Sequence, residues 1–307
     1  MRIIRDLSTD KKDLSNLVLT IGNFDGVHLG HQAIFKKLTQ RAAELEGVSA
    51  VLTFDPHPSK ILRSTASIPL LTPFEEKMRL LEDLGIQSVI CIAFTADFAR
   101  LTKEEFVEKV LSQSLAVKEL FVGHDFAFGF RREGSLKFLQ EMGKDRGFKV
   151  NVVDPVEING TIVSSSLIRR LVQEGVVSQA STMLGRNYVI TGRVVQGYRV
   201  GKKLGFPTAN LLCANKLIPA PGIYAVKTVF KGNEFVGVVN IGTCPTFDRE
   251  GLSVEVHILS FHQDIYDEML KVEFYERLRE ERRFESPEAL AEQIKKDIEQ
   301  TEKIVQI

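Results

Sequence analysis

Gly22-Asn23-Phe24-Asp25-Gly26-Val27-His28-Leu29-Gly30-His31 follows an apolar strand candidate (Leu17, Val18, Leu19, Ile21) and runs into a helical pattern beginning near Gln32. The two histidines therefore stand where a helix N-terminus opens. Unpaired backbone N–H groups and the positive end of the helix dipole face whatever occupies such a turn. Glycines at 22, 26 and 30 let a bulky anion approach the backbone, and His28 and His31 add side-chain donors at the same place. A phosphate site is the natural expectation.

Outward from this stretch, short apolar runs alternate with helical patterns. Strand candidates fall at 17–21, 48–54, 88–94, 119–122 and 149–153, with amphipathic segments between them. Such alternation predicts an α/β unit, a parallel sheet with crossover helices. Thr72-Pro73-Phe74-Glu75 and Thr102-Lys103-Glu104-Glu105 read as capping boxes, the first with proline at N1, and Gly85 reads as the C′ residue of the first helix. After Gly185 the texture changes. Tyr188 to Val195, Gly222 to Val229, Phe235 to Ile241 and Ser253 to Leu259 read as strands between glycine and proline turns, predicting a compact antiparallel β-barrel. A terminal helix follows, with Ser286 as N-cap, Pro287 at N1 and a stripe of Leu290, Ile294 and Ile298. The boundary falls within 176–187, giving domains 1–182 and 183–307, with no internal repeat or low-complexity tract.

The chain has 307 residues, enough for two cores, and its 40 basic and 40 acidic side chains cancel. No global field draws in nucleic acid or an anionic membrane, so phosphate binding has to be local. Cys91, Cys213 and Cys244 lie far apart in an odd number, which supports neither a disulfide framework nor a zinc site and points to a reducing cytoplasm. The N-terminus has no apolar signal core, and no run approaches the ~18 apolar residues of a membrane span. Self-association is open, with no sequence mark for or against it.

Each motif has a plain reading beside the chemical one. The pair in His28-Leu29-Gly30-His31 could cap a turn or bind a metal, but no third ligand is evident nearby, which leaves neutralisation of a polyphosphate as its leaving group departs. In Val163-Ser164-Ser165-Ser166-Leu167-Ile168-Arg169-Arg170 one serine is explained by helix capping, whereas three hydroxyls with Arg169 make a second anion clamp on a short helix ending at Gly175. Thr53-Phe54-Asp55-Pro56-His57-Pro58 reads equally as a strand-exit turn fixed by two prolines. The aromatics at 121, 126, 128 and 130, around Asp125, read as core. From Gly192 to Asn210 runs a glycine-punctuated loop ending Pro207-Thr208-Ala209-Asn210. Thr208 and Asn210 offer hard oxygen ligands of the kind Mg²⁺ prefers, and backbone N–H groups near Gly201 and Gly205 can cradle phosphates. In Ser253-Val254-Glu255-Val256-His257-Ile258 the polar residues alternate with the apolar ones, and a lone strand glutamate is ordinarily just exposed.

Taken together, GNFDGVHLGH, TFDPHP, Phe121-Val122-Gly123-His124-Asp125-Phe126-Ala127-Phe128-Gly129, VSSSLIR and PTAN resemble the bacterial bifunctional riboflavin kinase/FMN adenylyltransferase family, also called FAD synthetases, nearly end to end. The resemblance implies a Rossmann-like nucleotidyltransferase domain followed by a riboflavin kinase-like barrel. It implies riboflavin, FMN and ATP as substrates, Mg²⁺ as cofactor, and FMN and FAD as products. It assigns Gly22, Phe24, His28, His31, Ser164, Ser165 and Arg169 to ATP in the first domain, and Asp125 and His57 to FMN. In the second it assigns Gly201, Gly205, Thr208 and Asn210 to ATP, Thr208 and Asn210 to the metal, and Glu255 to the catalytic base. The chain departs from the family pattern in VSSSLIR, at Asp267 where glycine is usual, at Cys244 where arginine is common, and at Lys202-Lys203. Two other classes compete: a different HxGH nucleotidyltransferase fused to an unrelated barrel, opposed by GFPTAN and Glu255, and a flavin-binding regulatory protein that has lost turnover.

Overall fold

The apolar runs of the N-terminal half pair side by side in a six-stranded parallel sheet. In chain order the elements are β1 (Arg2–Ile4), β2 (Val18–Ile21), α1 (Leu29–Glu44), β3 (Ser49–Phe54), α2 (Ser59–Leu62), α3 (Phe74–Asp83), β4 (Ser88–Ile92), α4 (Lys103–Glu105), β5 (Glu119–Gly123), α5 (Leu136–Arg146) and β6 (Lys149–Val153), then a two-stranded hairpin of β7 (Glu157–Ile158) and β8 (Thr161–Ile162). α4 continues through Phe106–Ser114 with π-type hydrogen bonding. The sheet order is β1-β4-β3-β2-β5-β6. This computed structural model describes residues 1–5, 14–62, 69–197, 205–214, 216–243 and 252–306, and the chain divides into two compact units, Met1–Ser164 and Ser165–Ile307.

Both faces of the sheet are covered, so β2 and β3 are buried along nearly their whole length rather than at alternate residues. Leu17, Leu19 and Ile21 pack with Phe106, Val107 and Leu111 on one side. On the other, Val18, Val51 and Val89 pack with Phe35, Leu38 and Leu81. Of the aromatics read as core, Phe121 and Phe128 are buried and Phe126 stacks on Phe128, but Phe130 is exposed. The capping box at Thr102 is present, its hydroxyl accepting from Glu105 N and Glu105 returning to Thr102 N, each at 3.1 Å. The one expected at Thr72 is not. Pro73 is itself the N-cap of α3 with no side-chain cap, because the Thr72 backbone N–H is drawn to Asp25. Gly85 follows the helix with φ of 78°, as its C′ reading requires.

The second unit opens with α6 (Ser165–Gln173) and α7 (Val177–Leu184), then β9 (Tyr188–Val195), β10 (Ala209–Leu212), β11 (Gly222–Phe230), β12 (Asn233–Thr243), β13 (Leu252–Ile258), β14 (Met269–Arg279) and α8 (Pro287–Ile304). Its six strands close an antiparallel barrel in the order β10-β13-β12-β11-β14-β9, filled by Ile190, Tyr224, Val226, Val239, Val256, Val272 and Phe274. Ser286 caps α8 through Ala289 N, with Pro287 at N1. The deepest residues of α8 are Asp297 and Thr301, whereas Leu290, Ile294 and Ile298 are half-buried. Gly192 lies within β9, which runs on to Val195, rather than in a loop.

Candidate active sites

In the first unit, the chain leaves β2 for β3 and β4 on one side and returns to β5 and β6 on the other, so the strand order reverses between β2 and β5. Open parallel sheets bind ligands at such a switch point, outside the carboxyl ends of the strands. Three motifs emerge there from adjacent strands: Gly22–His31 after β2, Phe54–Pro58 after β3, and Gly123–Asp125 after β5. The turn after β2 is strained, with positive φ at Phe24, Gly26 and Val27. Phe24 and Val27 are nevertheless buried, anchored in the core beneath α1. A side chain at Gly22 would strike the Phe24 ring at 2.9 Å, and one at Gly30 would meet the His28 ring at 3.1 Å and the Val163 carbonyl at 3.7 Å. The segment leading to Ser164 thus passes beside the histidine turn.

His28 is the N-cap of α1, its Nδ1 accepting from His31 N at 3.3 Å. The two imidazoles stack with centroids 3.5 Å apart, and the Phe24 ring meets His31 edge-on at 5.1 Å. The first turn of α1 carries no acidic side chain, so the dipole is not answered from within the helix. Burial, then the neighbouring His28 and Lys77, hold the His31 pKa well below the usual histidine value, and its Nδ1 is buried without a hydrogen-bond partner. Asp25 is buried and accepts from Leu71 N and Thr72 N at 3.2 and 3.0 Å, tying the approach to α3 onto the same turn. His57 Nδ1 lies 2.8 Å from Ser59 Oγ and accepts from Ser59 N, so the turn reading of TFDPHP is realised around α2. Asp125 is exposed just past β5. Ser164 closes the first unit, while Ser165 begins α6 and Arg169 is half-buried on it.

In the barrel, the alternation read in Ser253–Ile258 is observed: Val254, Val256 and Ile258 are buried, and Ser253, Glu255 and His257 lie on the other face. Glu255 is flanked in register by Asn210 on β10 and Asn240 on β12, and Thr208 Oγ1 lies 3.3 Å from its Oε2. PTAN is held from below by His257, whose Nδ1 lies 2.8 Å from the Pro207 carbonyl and whose ring meets Phe206 edge-on. The Asn210 carboxamide covers Gly197 so closely that any side chain there would collide with it. A cavity of about 400 Å³ opens beside Thr208, walled by Val194, Val256, Ile258, Phe261 and Tyr266. Asp267 has φ of 63°, the left-handed conformation that explains glycine in the family and that aspartate tolerates. Gly205 lies at a turn with φ of 85°; Gly201, Lys202, Lys203 and Cys244 fall outside the described residues.

Three residues escape a motif reading. Asn240 has a buried Oδ1 without a hydrogen-bond partner and faces Glu255 across the ladder. His257 is one alternation step from Glu255. Lys77 is buried at 6% exposure, and the signal for it is readable: Phe74, Lys77, Met78 and Leu81 form an i, i+3, i+4, i+7 stripe, which places an ammonium on an apolar face.

Residues 10–167 match the family model described as FAD synthetase, and residues 184–305 match that described as riboflavin kinase. The bifunctional riboflavin kinase/FMN adenylyltransferase of Pseudomonas fluorescens is 38% identical over 299 residues, 97% of this chain and 96% of that one. The protein of the same name from Escherichia coli strain K12 is 36% identical over 299 residues, with the same coverage. A crystal structure described as a macrolide-efflux protein from Streptococcus pneumoniae is 29% identical and superimposes with a TM-score of 0.87 over 98% of this chain and 99% of that one. A switch-point site on a parallel sheet, followed by a barrel carrying a Thr-Asn-Glu cluster, defines a two-module nucleotide-dependent transferase. The chain belongs to the bifunctional riboflavin kinase/FMN adenylyltransferase family.

Proposed function

We propose that the two reactions of the family divide between an adenylyltransferase module, residues 1–182, and a kinase module, residues 183–307. The chain phosphorylates riboflavin to FMN and adenylylates FMN to FAD, with ATP as co-substrate in both steps. In the kinase module the ribityl 5′-hydroxyl gives its proton to Glu255 while its oxygen attacks the γ-phosphorus of ATP and ADP departs. The observation that carries this reading is the cluster of Glu255, Thr208 and Asn210 around the middle of β13. Thr208 and Asn210 supply oxygen donors that suit Mg²⁺, which when bound neutralises polyphosphate charge. Gly205 offers its backbone N–H to the phosphates, Gly201 keeps the phosphate role that its motif implies, and the cavity beside Thr208 suits the planar base of the nucleotide held there.

In the first module a phosphate oxygen of FMN attacks the α-phosphorus of ATP, the bond to the β-phosphate breaks, and pyrophosphate leaves; no protein nucleophile takes part. His28 and His31, at the mouth of α1, steady the charge that develops on the departing group. Gly22 lets the phosphates approach the backbone, and Phe24 acts through the His31 ring it supports. Ser164, Ser165 and Arg169 keep the triphosphate role of their motif, and Asp125 and His57 flank FMN. Balanced charge and separated cysteines support a cytoplasmic enzyme of small-molecule substrates rather than of nucleic acid or membrane. No helix among the described residues is long and apolar enough to cross a membrane. Incubation with riboflavin and MgATP, followed by chromatography of the flavins, is expected to show FMN first and FAD after it. Flavin bound but unconverted would overturn the assignment.

A further inference from the structure

An ammonium is expensive to bury and persists where partners or function compensate it. The buried Lys77 donates to the Asn23 carbonyl at 3.0 Å and to the Thr53 hydroxyl at 3.1 Å, both uncharged. Asn23 lies in the turn after β2, between Gly22 and Phe24. Thr53 lies on β3, immediately before Phe54-Asp55-Pro56-His57. One side chain from α3 therefore joins the two neighbouring strand ends from which two of the site's motifs emerge.

The carboxylates that attract Lys77 do so through space, against the cost of its burial. They are Asp25, held in place by the Leu71 and Thr72 amides, and Asp55, which lies 3.6 Å from Arg5. Cys91, a neutral thiol whose ionisation burial opposes, and the Phe74 ring complete the surroundings. The field of Lys77 also reaches His31, whose ring stacks on that of His28. Buried atoms without hydrogen-bond partners, Asn23 Oδ1, Thr72 Oγ1 and His31 Nδ1, gather on the same segments.

We propose that Lys77 is a positioning residue for adenylyl transfer: it clamps the Gly22–Phe24 turn to the end of β3 and holds a fixed positive charge near the histidine turn, where the departing pyrophosphate gathers negative charge. This rests on reading the histidine turn as the phosphate site. Lys77 acts through the turn and through its field, so its loss lowers turnover more than FMN binding, and it also relieves His31 of a repelling neighbour.

The test uses the full chain with Lys77→Met, Lys77→Gln and Lys77→Arg. Lys77→Met is expected to lower kcat for FAD formation from supplied FMN on the order of 100-fold, with the KM for FMN changed by less than about threefold. Riboflavin phosphorylation by the same chain stays within about twofold of the parent, and Lys77→Arg recovers at least about tenfold of the loss. The NMR titration midpoint of His31 moves up in Lys77→Met and Lys77→Gln and stays near the parental value in Lys77→Arg, which ties the shift to the charge at this position rather than to packing. FAD formation near the parental rate, an unmoved His31 titration, or equal loss of both activities in Lys77→Met and Lys77→Gln alike would overturn the proposal. If the parent chain itself makes no FAD from FMN, the phosphate-site reading falls instead, and the His31 titration still decides whether Lys77 sets the field there.

Discussion

His31 is the residue whose protonation reports the site. Burial, His28 and Lys77 hold its pKa well below the usual value, so in the unliganded protein the neutral imidazole is favoured. The unfolded chain takes a proton there below about pH 6.5, whereas the folded one takes it only at much lower pH. Folding stability therefore falls as pH drops from about 6.5 toward the folded pKa, since the unfolded state binds more protons across that window. A bound polyphosphate has the opposite effect on the group: its negative charge favours the imidazolium and raises the pKa. ATP binding to the first module is thus expected to take up protons near pH 6 beyond what ATP itself contributes. Calorimetry in two buffers of different ionisation enthalpy measures that excess, and His31→Ala should abolish it. An excess unchanged by the substitution would place the proton elsewhere.

At the scale of elements, what the sequence makes legible is periodicity, and what it hides is pairing. β2 to β6 and four barrel strands follow from apolar runs and from alternation, because burial imposes those patterns whatever lies opposite. β1, three residues long at the sheet edge, is too short to carry a period. The Thr72 cap is lost to Asp25, 47 residues away, a competitor that local spacing cannot reveal. α8 shows the same limit. Its apolar stripe is half-buried, while Asp297, at 3% exposure, receives a two-pronged grip from Arg279 on β14, with Nε at 3.0 Å and Nη2 at 2.8 Å, and a further bond from Gln293. Removing the buried carboxylate leaves a partly buried guanidinium without its counter-charge. Asp297→Ala is expected to cost the barrel about 3 kcal/mol, read as a lower urea midpoint with unchanged slope. A loss within the scatter of surface substitutions would show that α8 is held by its apolar contacts alone. The same contrast governs the sites: glycine, proline and histidine motifs announce themselves, but Lys77 and Asn240 gain meaning only from the strands they face.

At the scale of the whole molecule, the two chemistries demand different things of the protein, and that difference makes their separation testable. Phosphorylating an alcohol requires a base, because a ribityl hydroxyl is a poor nucleophile while it keeps its proton. Glu255 is a carboxylate with two oxygens; Glu255→Gln keeps its size and hydrogen bonding to Thr208 but cannot accept the proton. FMN formation should fall by about 10²- to 10⁴-fold, with FAD synthesis from supplied FMN unaffected. Adenylyl transfer needs no base, since the FMN phosphate is already an anion; it needs donors for a leaving pyrophosphate. Replacing both His28 and His31 by alanine should lower FAD formation by about 10²- to 10³-fold and spare phosphorylation, with the lost N-cap at His28 costing α1 about 1 kcal/mol as well. Assaying each variant for both products against the parent separates the outcomes. If Glu255→Gln abolished FAD synthesis from supplied FMN, or the histidine variant lost FMN formation, one site would be serving both reactions, and the carboxylate and the imidazoles would have to be reassigned to a single mechanism.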